Sequence, residues 1–354
     1  MAKVHNFSAG PCILPQEVFK EASQSVLDFD NLGLSILEIS HRSENFVRVM
    51  EEARELVKEL LNIPKGYTVL FLQGGASTGF LMAPYNLLTE NGTAGYMNTG
   101  TWSTKAIKEA KKLGNVDVIV SSEDENFKYI PKDIQIPSGL DYVHYTANNT
   151  IYGTQFKKLP QTDNFLVCDM SSDIFSRPVT INAYDIIYAG AQKNIGPAGT
   201  TMYIVNEEVF NKSGRDIPSM LDFEVHHKKD SMFNTPSVFA VYVTMLNLRY
   251  MKANGGVEAM KKKAQERSEM IYNEIDENPL FEGYANKEDR SSMNATFTLT
   301  DESYKEKFDK LWKEANINGI KGHRSVGGYR ASMYNALPIE SVEALVNVMK
   351  KLRS

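Results

Sequence analysis

The sequence predicts an α/β protein: a large domain built on a mostly parallel sheet flanked by helices, with a smaller α+β domain beside it. Three observations predict it. Apolar runs at 68–72, 93–97, 142–145, 164–168, 186–189 and 202–205 have strand length and mostly alternate with helical segments. Several of these runs end in turns of small or polar residues, the position at which α/β sheets bind ligands. After Asn254-Gly255-Gly256, a helix-stop signal, the composition shifts to a charged helix and short strands. The expected division is a large domain over residues 16–253 and a small domain formed by residues 1–15 and 254–354.

At 354 residues the chain has room for two domains around a sizeable core. Its 42% hydrophobic and 23% charged residues are those of an ordinary globular protein. A net charge of -5 without a dense basic run creates no field for nucleic acid. Residues 1–11 lack the apolar core of a signal peptide, and no run approaches membrane-spanning length. Cys12 and Cys168, the only cysteines, are too few for a disulfide framework and are not spaced as metal ligands. The expectation is a cytoplasmic enzyme with no metal and no nucleic-acid or membrane partner.

The chain opens with an irregular arm containing Ser8, Gly10, Pro11 and Pro15, and a helix over 15–27 follows. An apolar segment at 33–39 ends in Ser40-His41-Arg42-Ser43, ahead of an amphipathic helix at 45–61 that aligns Phe46, Val49, Ala53, Leu56, Val57 and Leu60. His41 and Arg42 thus stand at a helix entrance, where backbone amides and a guanidinium favour carboxylate or phosphate. Solvated surface donors are the alternative. The strand at 68–72 breaks into Gln73-Gly74-Gly75-Ala76-Ser77-Thr78-Gly79, and a helix at 80–88, bent near Pro84, is expected after it. A turn of this kind offers N–H groups to a phosphate, with the Ser77 or Thr78 hydroxyl adding a bond. It is neither a P-loop nor a dinucleotide fingerprint, and a tight turn with no ligand satisfies the pattern equally.

Strand 93–97 leads through a turn carrying Trp102 to a helix at 104–113. The indole either stacks on a planar ligand or packs in the core. A strand segment at 117–120 and the strand at 142–145, followed by Ala147-Asn148-Asn149-Thr150, continue the alternation. The strand at 164–168 ends in Asp169-Met170-Ser171-Ser172-Asp173. Asp169 either faces a ligand crevice or caps the next helix.

Between the strands at 186–189 and 202–205 a turn containing Gly190, Ala191, Gly196, Ala198 and Gly199 carries one lysine, Lys193. No bulky neighbour in sequence shields its amine, and desolvation there favours the neutral nucleophile that a Schiff base requires. A solvated loop lysine is the alternative. The spacing from Asp169 allows one crossover, so both side chains can face one crevice. An acid at one end of a flat heterocycle and a lysine at the other is the polarity that pyridoxal phosphate requires.

Ser231-Met232-Phe233-Asn234-Thr235-Pro236 precedes an apolar helix at 238–251. Beyond it, helices at 257–278, 303–315 and 341–352 and a strand at 293–299 form the small domain. There, residues 321–332 gather His323, Arg324 and Arg330 among glycines, repeating the His-Arg pairing of His41 and Arg42. Two such grips suggest a dianionic substrate.

Five segments carry a family resemblance: Asn6-Phe7-Ser8-Ala9-Gly10-Pro11, Ser40-His41-Arg42, Tyr188 through Gly199, Ser231 through Pro236, and Gly322-His323-Arg324-Ser325-Val326-Gly327-Gly328. They resemble the signatures of the phosphoserine aminotransferases, a family within class V of the fold-type I pyridoxal-phosphate enzymes, over most of the chain. The resemblance implies a seven-stranded type of sheet and assigns roles. Lys193 would hold the cofactor and move a proton between Cα and C4′, and Asp169 would pair with the pyridine nitrogen. Trp102 would stack on the ring and Thr150 would bond its hydroxyl. Ala76, Ser77 and Gln192 would hold the cofactor phosphate, together with Asn234 and Thr235 from the other subunit of a homodimer. His41 and Arg42, with His323 and Arg324 of the partner subunit, would take the substrate phosphate or the distal carboxylate of glutamate. Arg330 would grip the α-carboxylate. Two positions depart from the family pattern: Ser77, where some members have arginine, and Asn149, where glutamate is common.

The implied activity is reversible amino transfer between glutamate and 3-phosphooxypyruvate, giving phosphoserine and 2-oxoglutarate in serine biosynthesis. The pocket should also admit 3-hydroxy-2-oxo-4-phosphooxybutanoate, in pyridoxine biosynthesis, because one added group changes binding by only about 1–3 kcal/mol. Two alternatives stand beside it. A class V transaminase for small oxo acids would leave the anion grips unpaired. A catalytically silent relative binding a phosphorylated metabolite or a protein would have no use for Lys193 and Asp169.

Overall fold

The computed structural model describes residues 4–353. Residues 1–3 and 354 of the expected small domain lie outside the described residues.

A seven-stranded sheet forms the centre, with strands β1 (Tyr67–Leu72), β2 (Thr93–Asn98), β3 (Asn115–Ser121), β4 (Tyr142–Thr146), β5 (Phe165–Asp169), β6 (Ile186–Gly190) and β7 (Thr201–Asn206). Their spatial order is β1-β7-β6-β5-β4-β2-β3. All neighbours are parallel except β7, which runs antiparallel to both β1 and β6. The mostly parallel sheet expected from the strand-and-helix alternation is therefore observed.

Alternate side chains along each strand separate onto two faces. Leu166, Cys168, Ile187 and Ala189 pack on one face under the helices Gln16–Leu27, Glu44–Leu61 and Val238–Ala253. Val167, Ile186, Tyr188 and Tyr203 pack on the other under the helices Gly75–Leu87 and Thr101–Ala110. Cover on both faces explains why the central strands read as continuous apolar runs rather than alternating ones. Each such aliphatic side chain contributes about 1.5–3 kcal/mol on full burial. At the edge, β3 is only partly covered, and Val118 is 44% exposed.

One local expectation shifts. The helix expected at 80–88 begins at Gly75, so the glycine turn is itself the first helical turn. Gly74 makes the entry, at φ +100°, and a Cβ there would meet Thr78 Oγ1 at 1.8 Å. Pro84 is accommodated within the helix, whose carbonyl at Pro84 still accepts the Leu88 N–H at 3.0 Å. The apolar segment at 33–39 forms no helix or strand, and Leu34 and Leu37 are exposed.

The small unit is a three-stranded antiparallel sheet, Phe281–Gly283, Asn294–Leu299 and Tyr329–Ser332, backed by the helices Gly256–Glu277, Lys305–Glu314 and Ile339–Arg353. The N-terminal arm joins it, with His5–Asn6 paired in parallel to Ile317–Asn318 and Phe7 in its apolar cluster. A two-stranded ribbon, Asn148–Asn149 with Thr154–Gln155, reaches from the large sheet to the small one, where Thr296 Oγ1 donates to the Ile151 carbonyl at 3.2 Å. Among the described residues no helix is long and apolar enough to cross a membrane, and no group of side chains could hold a metal ion.

Candidate active site

The parallel strands of the sheet end at a common edge, and the candidate residues collect there. In register, Thr146 pairs with Asp169 and Asp169 with Tyr188, so the ends of β4, β5 and β6 lie side by side. The glycine turn follows β1, Trp102 follows β2, and Lys193 follows β6. Together they enclose a cavity of about 350 Å³ whose lining includes Ala76, Ser77, Trp102, Thr150, Asp169, Gln192, Lys193, His323 and Arg330. Two wider clefts of about 470 Å³ each lie along residues 155–159. Their charged walls are largely satisfied by one another, Arg290 by Asp276 and Lys132 by Asp289, so size does not mark the site.

The turn carrying Lys193 is clamped by three asparagines. Asn194 Nδ2 donates to the Ile174 carbonyl at 2.9 Å, and its Oδ1 accepts the Asn335 N–H at 3.0 Å. Asn247 Nδ2 donates to the carbonyls of Asn194 at 3.0 Å and Ile195 at 2.7 Å. The N-terminal arm closes the turn from another side, where Cys12 Sγ donates to the Lys193 carbonyl at 3.0 Å. Gly10, at φ +135°, lies so near that its Cβ would stand 3.4 Å from Lys193 Cγ. None of these supports was read from the sequence. Asn247 carried a signal, as a buried amide inside an apolar helix.

Burial sets the charges of the reacting groups. It pushes the Lys193 ammonium from 10.5 down to about 8, against the opposing pull of the Asp169 carboxylate. It also raises Asp169 above the ordinary carboxylate value, opposed by hydrogen bonds from Ser171, whose N–H donates to Oδ1 at 2.9 Å. Trp102 Nε1 donates to Thr150 Oγ1 at 3.0 Å, which leaves the threonine proton free for another acceptor. Arg330 Nη1 donates to the Thr150 carbonyl at 3.0 Å, while its buried Nε has no partner among the described residues. The Ser325 N–H donates to His323 Nδ1 at 3.3 Å, which fixes the proton of the neutral ring on Nε2.

His323 was expected from a partner subunit, yet it lines the Lys193 cavity of its own chain. The reason is the short strand Tyr329–Ser332, which brings Arg330 to Thr150 and carries the adjoining 322–327 loop to the cavity mouth. Arg324 lies on this loop and is exposed. His41 and Arg42 precede the helix Glu44–Leu61, which packs on the other face of the sheet, and neither lines this chain's cavity. His41 Nε2 is buried without a partner.

Asn234 and Thr235 also stand outside the cavity lining, beside Gln73: the Thr235 carbonyl accepts from Gln73 Nε2 at 2.5 Å, and Asn234 Oδ1 is buried and unpaired. Asn149, one of the two departures, uses its Nδ2 locally, donating to Thr154 Oγ1 at 3.0 Å and Thr99 Oγ1 at 3.3 Å, while its Oδ1 is buried with no partner among the described residues.

These residues fit pyridoxal phosphate. A buried acid and a partly neutral lysine line one cavity with an indole wall, and backbone at the N-terminus of the helix Gly75–Leu87 offers a phosphate seat beside Ser77.

Comparison with known proteins agrees with this geometry. The model of the aminotransferase class-V family matches residues 4–345. The chain is 61% identical over 353 residues to the phosphoserine aminotransferase of Flavobacterium johnsoniae, covering 99% of each. Among solved structures, the phosphoserine aminotransferase of Bacillus circulans subsp. alkalophilus superposes with a TM-score of 0.96 at 43% identity, over 99% of this chain and 98% of that one. The pyridoxal-phosphate-bound enzyme of Trichomonas vaginalis superposes with a TM-score of 0.92 at 34% identity, over 98% and 100%. With its cavity formed by the same lysine, acid and glycine turn from which the resemblance was read, the chain belongs to the class V aminotransferases, pyridoxal-phosphate-dependent enzymes, and within them to the phosphoserine aminotransferase family.

Proposed function

We propose that this enzyme transfers an amino group reversibly between glutamate and 3-phosphooxypyruvate, giving 2-oxoglutarate and phosphoserine for serine biosynthesis. The observation that carries the reading is an active-site cavity with Lys193 and Asp169 in its wall, and beside them His323 and Arg330, a cation with no carboxylate partner among the described residues. The same pocket takes 3-hydroxy-2-oxo-4-phosphooxybutanoate, the larger oxo acid of pyridoxine biosynthesis.

When bound, pyridoxal phosphate supplies the electron sink that lets the substrate Cα–H be lost as a proton. Lys193 anchors the cofactor, and its amine, about half neutral at pH 8, takes and returns that proton as base and acid. Asp169 holds a proton on the pyridine nitrogen, and its buried setting favours sharing a proton over standing as a bare anion. Thr150 gives its hydroxyl proton to the ring oxygen, and Trp102, fixed by its bond to Thr150, covers the ring. Ala76, Ser77 and Gln192 seat the cofactor phosphate. Arg330 binds the α-carboxylate, with its unpaired Nε available.

The active form is a cytoplasmic homodimer with shared sites. The orphaned polar atoms of His41 and Asn234, both outside this chain's cavity, support donation of His41, Arg42, Asn234 and Thr235 to the neighbouring site. Arg324 joins the same anion grip from the exposed loop. The large unit spans residues 16–253 and the small unit residues 1–15 with 254–354, a division supported by two largely separate apolar clusters, although Leu14, Val257 and Met260 pack in the larger one. A coupled assay with glutamate as donor tests the reading: 3-phosphooxypyruvate should exceed pyruvate in kcat/KM by about a hundredfold or more, the value of one charge-assisted phosphate grip. Equal kcat/KM values for the two oxo acids would refute it.

A further inference from the structure

We infer that Lys105 is a specificity-determining cation of this enzyme and that, with Arg324, it receives the dianionic end of the substrate at the cavity mouth. The inference rests on the reading above that the substrate carries a phosphate.

Apart from the His41 and Arg42 that the proposed dimer brings from the neighbouring chain, the cavity wall offers little free fixed charge to the far end of the substrate. Ser77 contributes a hydroxyl, Lys193 is occupied with the cofactor, and Arg330 is anchored deep in the site on the Thr150 carbonyl. His323 is held below its ordinary value by burial and then by Arg330, Arg324 and Lys105, so the ring is largely neutral at pH 7 until an anion arrives. This chain's own contribution to the charge at the mouth comes from the groups around His323. One is Arg324, on the same loop. The other is Lys105, on the helix Thr101–Ala110, whose Nζ sits 4.5 Å from the ring centroid of Trp102, itself part of the cavity lining.

Three further features make Lys105 a ligand group rather than a decorative surface lysine. Lys105, Arg324 and Arg330 converge electrostatically on one imidazole, yet among the described residues none of them has a carboxylate partner. Like charges gathered without a counter-ion repel, and an anion seated among them relieves the repulsion. The indole face holds the Lys105 ammonium near the mouth, so less side-chain freedom is lost when it binds an anion. Finally, Lys105 belongs to the large unit and Arg324 to the small one, so a phosphate between them ties the 322–327 loop across the mouth.

The test uses holoenzyme carrying Lys105→Met, which keeps the stem and removes the charge, and Lys105→Arg, which restores it. O-phospho-L-serine and L-serine serve as amino donors. In the wild type the phosphorylated donor should have the far lower KM. Lys105→Met should raise KM for O-phospho-L-serine about tenfold with kcat within twofold, and leave KM for L-serine unchanged. Lys105→Arg should recover the wild-type ratio to within about twofold. As a readout independent of turnover, the His323 imidazole, followed by NMR in the free enzyme, should titrate at higher pH in Lys105→Met than in wild type. A lysine that only packs on Trp102 would lower the melting temperature and leave the KM ratio of the two donors intact, which overturns the inference. If the wild type itself fails to distinguish O-phospho-L-serine from L-serine, the phosphate reading of the function is what fails.

Discussion

Replacing Asp169 by asparagine should speed capture of the cofactor at pH 7 while destroying transamination. Moving the Lys193 amine from 10.5 to about 8 corresponds to roughly 3 kcal/mol disfavouring its charged form. Burial is the cause, and the Asp169 carboxylate is the largest charge opposing it. At pH 7 about one amine in ten is then neutral and able to attack. In stopped-flow mixing of apoenzyme with pyridoxal phosphate, the absorbance change should accelerate about tenfold per pH unit up to about 8 and level off above it. Asp169→Asn withdraws the opposing charge, so the break moves below 8 and capture at pH 7 becomes faster than in wild type. Its transamination rate should nonetheless fall by about a hundredfold or more, because the pyridine nitrogen loses the carboxylate that keeps it protonated. The sign also governs stability. The unfolded lysine binds a proton up to its ordinary value of 10.5 and the folded one only to about 8, so apoenzyme stability gains from this group as pH rises between these values. A wild-type break near 10.5, or a break that rises in Asp169→Asn, would refute the electrostatic reasoning.

Three more perturbations address the scaffold and the substrate grip. Gly79→Ala directs a methyl group to 2.7 Å from the Tyr188 ring, so the helix Gly75–Leu87 must lift from the sheet; thermal unfolding should show a loss of about 1–3 kcal/mol. Asn247→Leu leaves the carbonyls of Asn194 and Ile195 without their donor, and denaturant unfolding should register a loss of about 2–3 kcal/mol, with faster release of the cofactor on dialysis. Arg330→Gln should raise KM about a hundredfold for O-phospho-L-serine and L-serine alike, since the α-carboxylate is common to both, in contrast to the selective effect expected at Lys105.

The fold was legible because the sheet is buried on both faces. Ile186, Ile187, Tyr188 and Ala189 must all be apolar, and a continuous apolar run bounded by turn residues is the signal that survives in one sequence. Where burial is one-sided or absent the signal weakens. The half-covered edge strand β3 was read only over 117–120, and the apolar segment at 33–39 contributes neither a helix nor a strand. The glycine turn was read as preceding its helix because Gly74 and Gly75 are poor helix formers. In the structure both make the entry at positive φ, Gly74 at +100° and Gly75 at +68°, and the helix starts at the second of them.

In the active site, legibility followed the backbone. Asp169, Lys193 and the residues of the glycine turn are immediate neighbours of strand ends, and parallel topology alone brings strand ends together. His323 could not be assigned to its own chain by such reasoning, since its position depends on how the 322–327 loop folds back from the small sheet toward Thr150. Lys105 carried no signal at all, because a lysine three residues after Trp102 in a helix resembles any solvated helical lysine until its distance to the indole and its influence on His323 are known. The same contrast separates the two kinds of recognition in this site. Cofactor contacts come from the sheet edge, where fold and sequence are tightly coupled. In the proposed reading, contacts to the far end of the substrate would come from side chains that converge only through tertiary placement, and there an exchange such as a neutral Ser77 would be offset by a cation on a neighbouring helix. Substrate preference in this family can therefore change at positions that leave the cofactor signatures untouched.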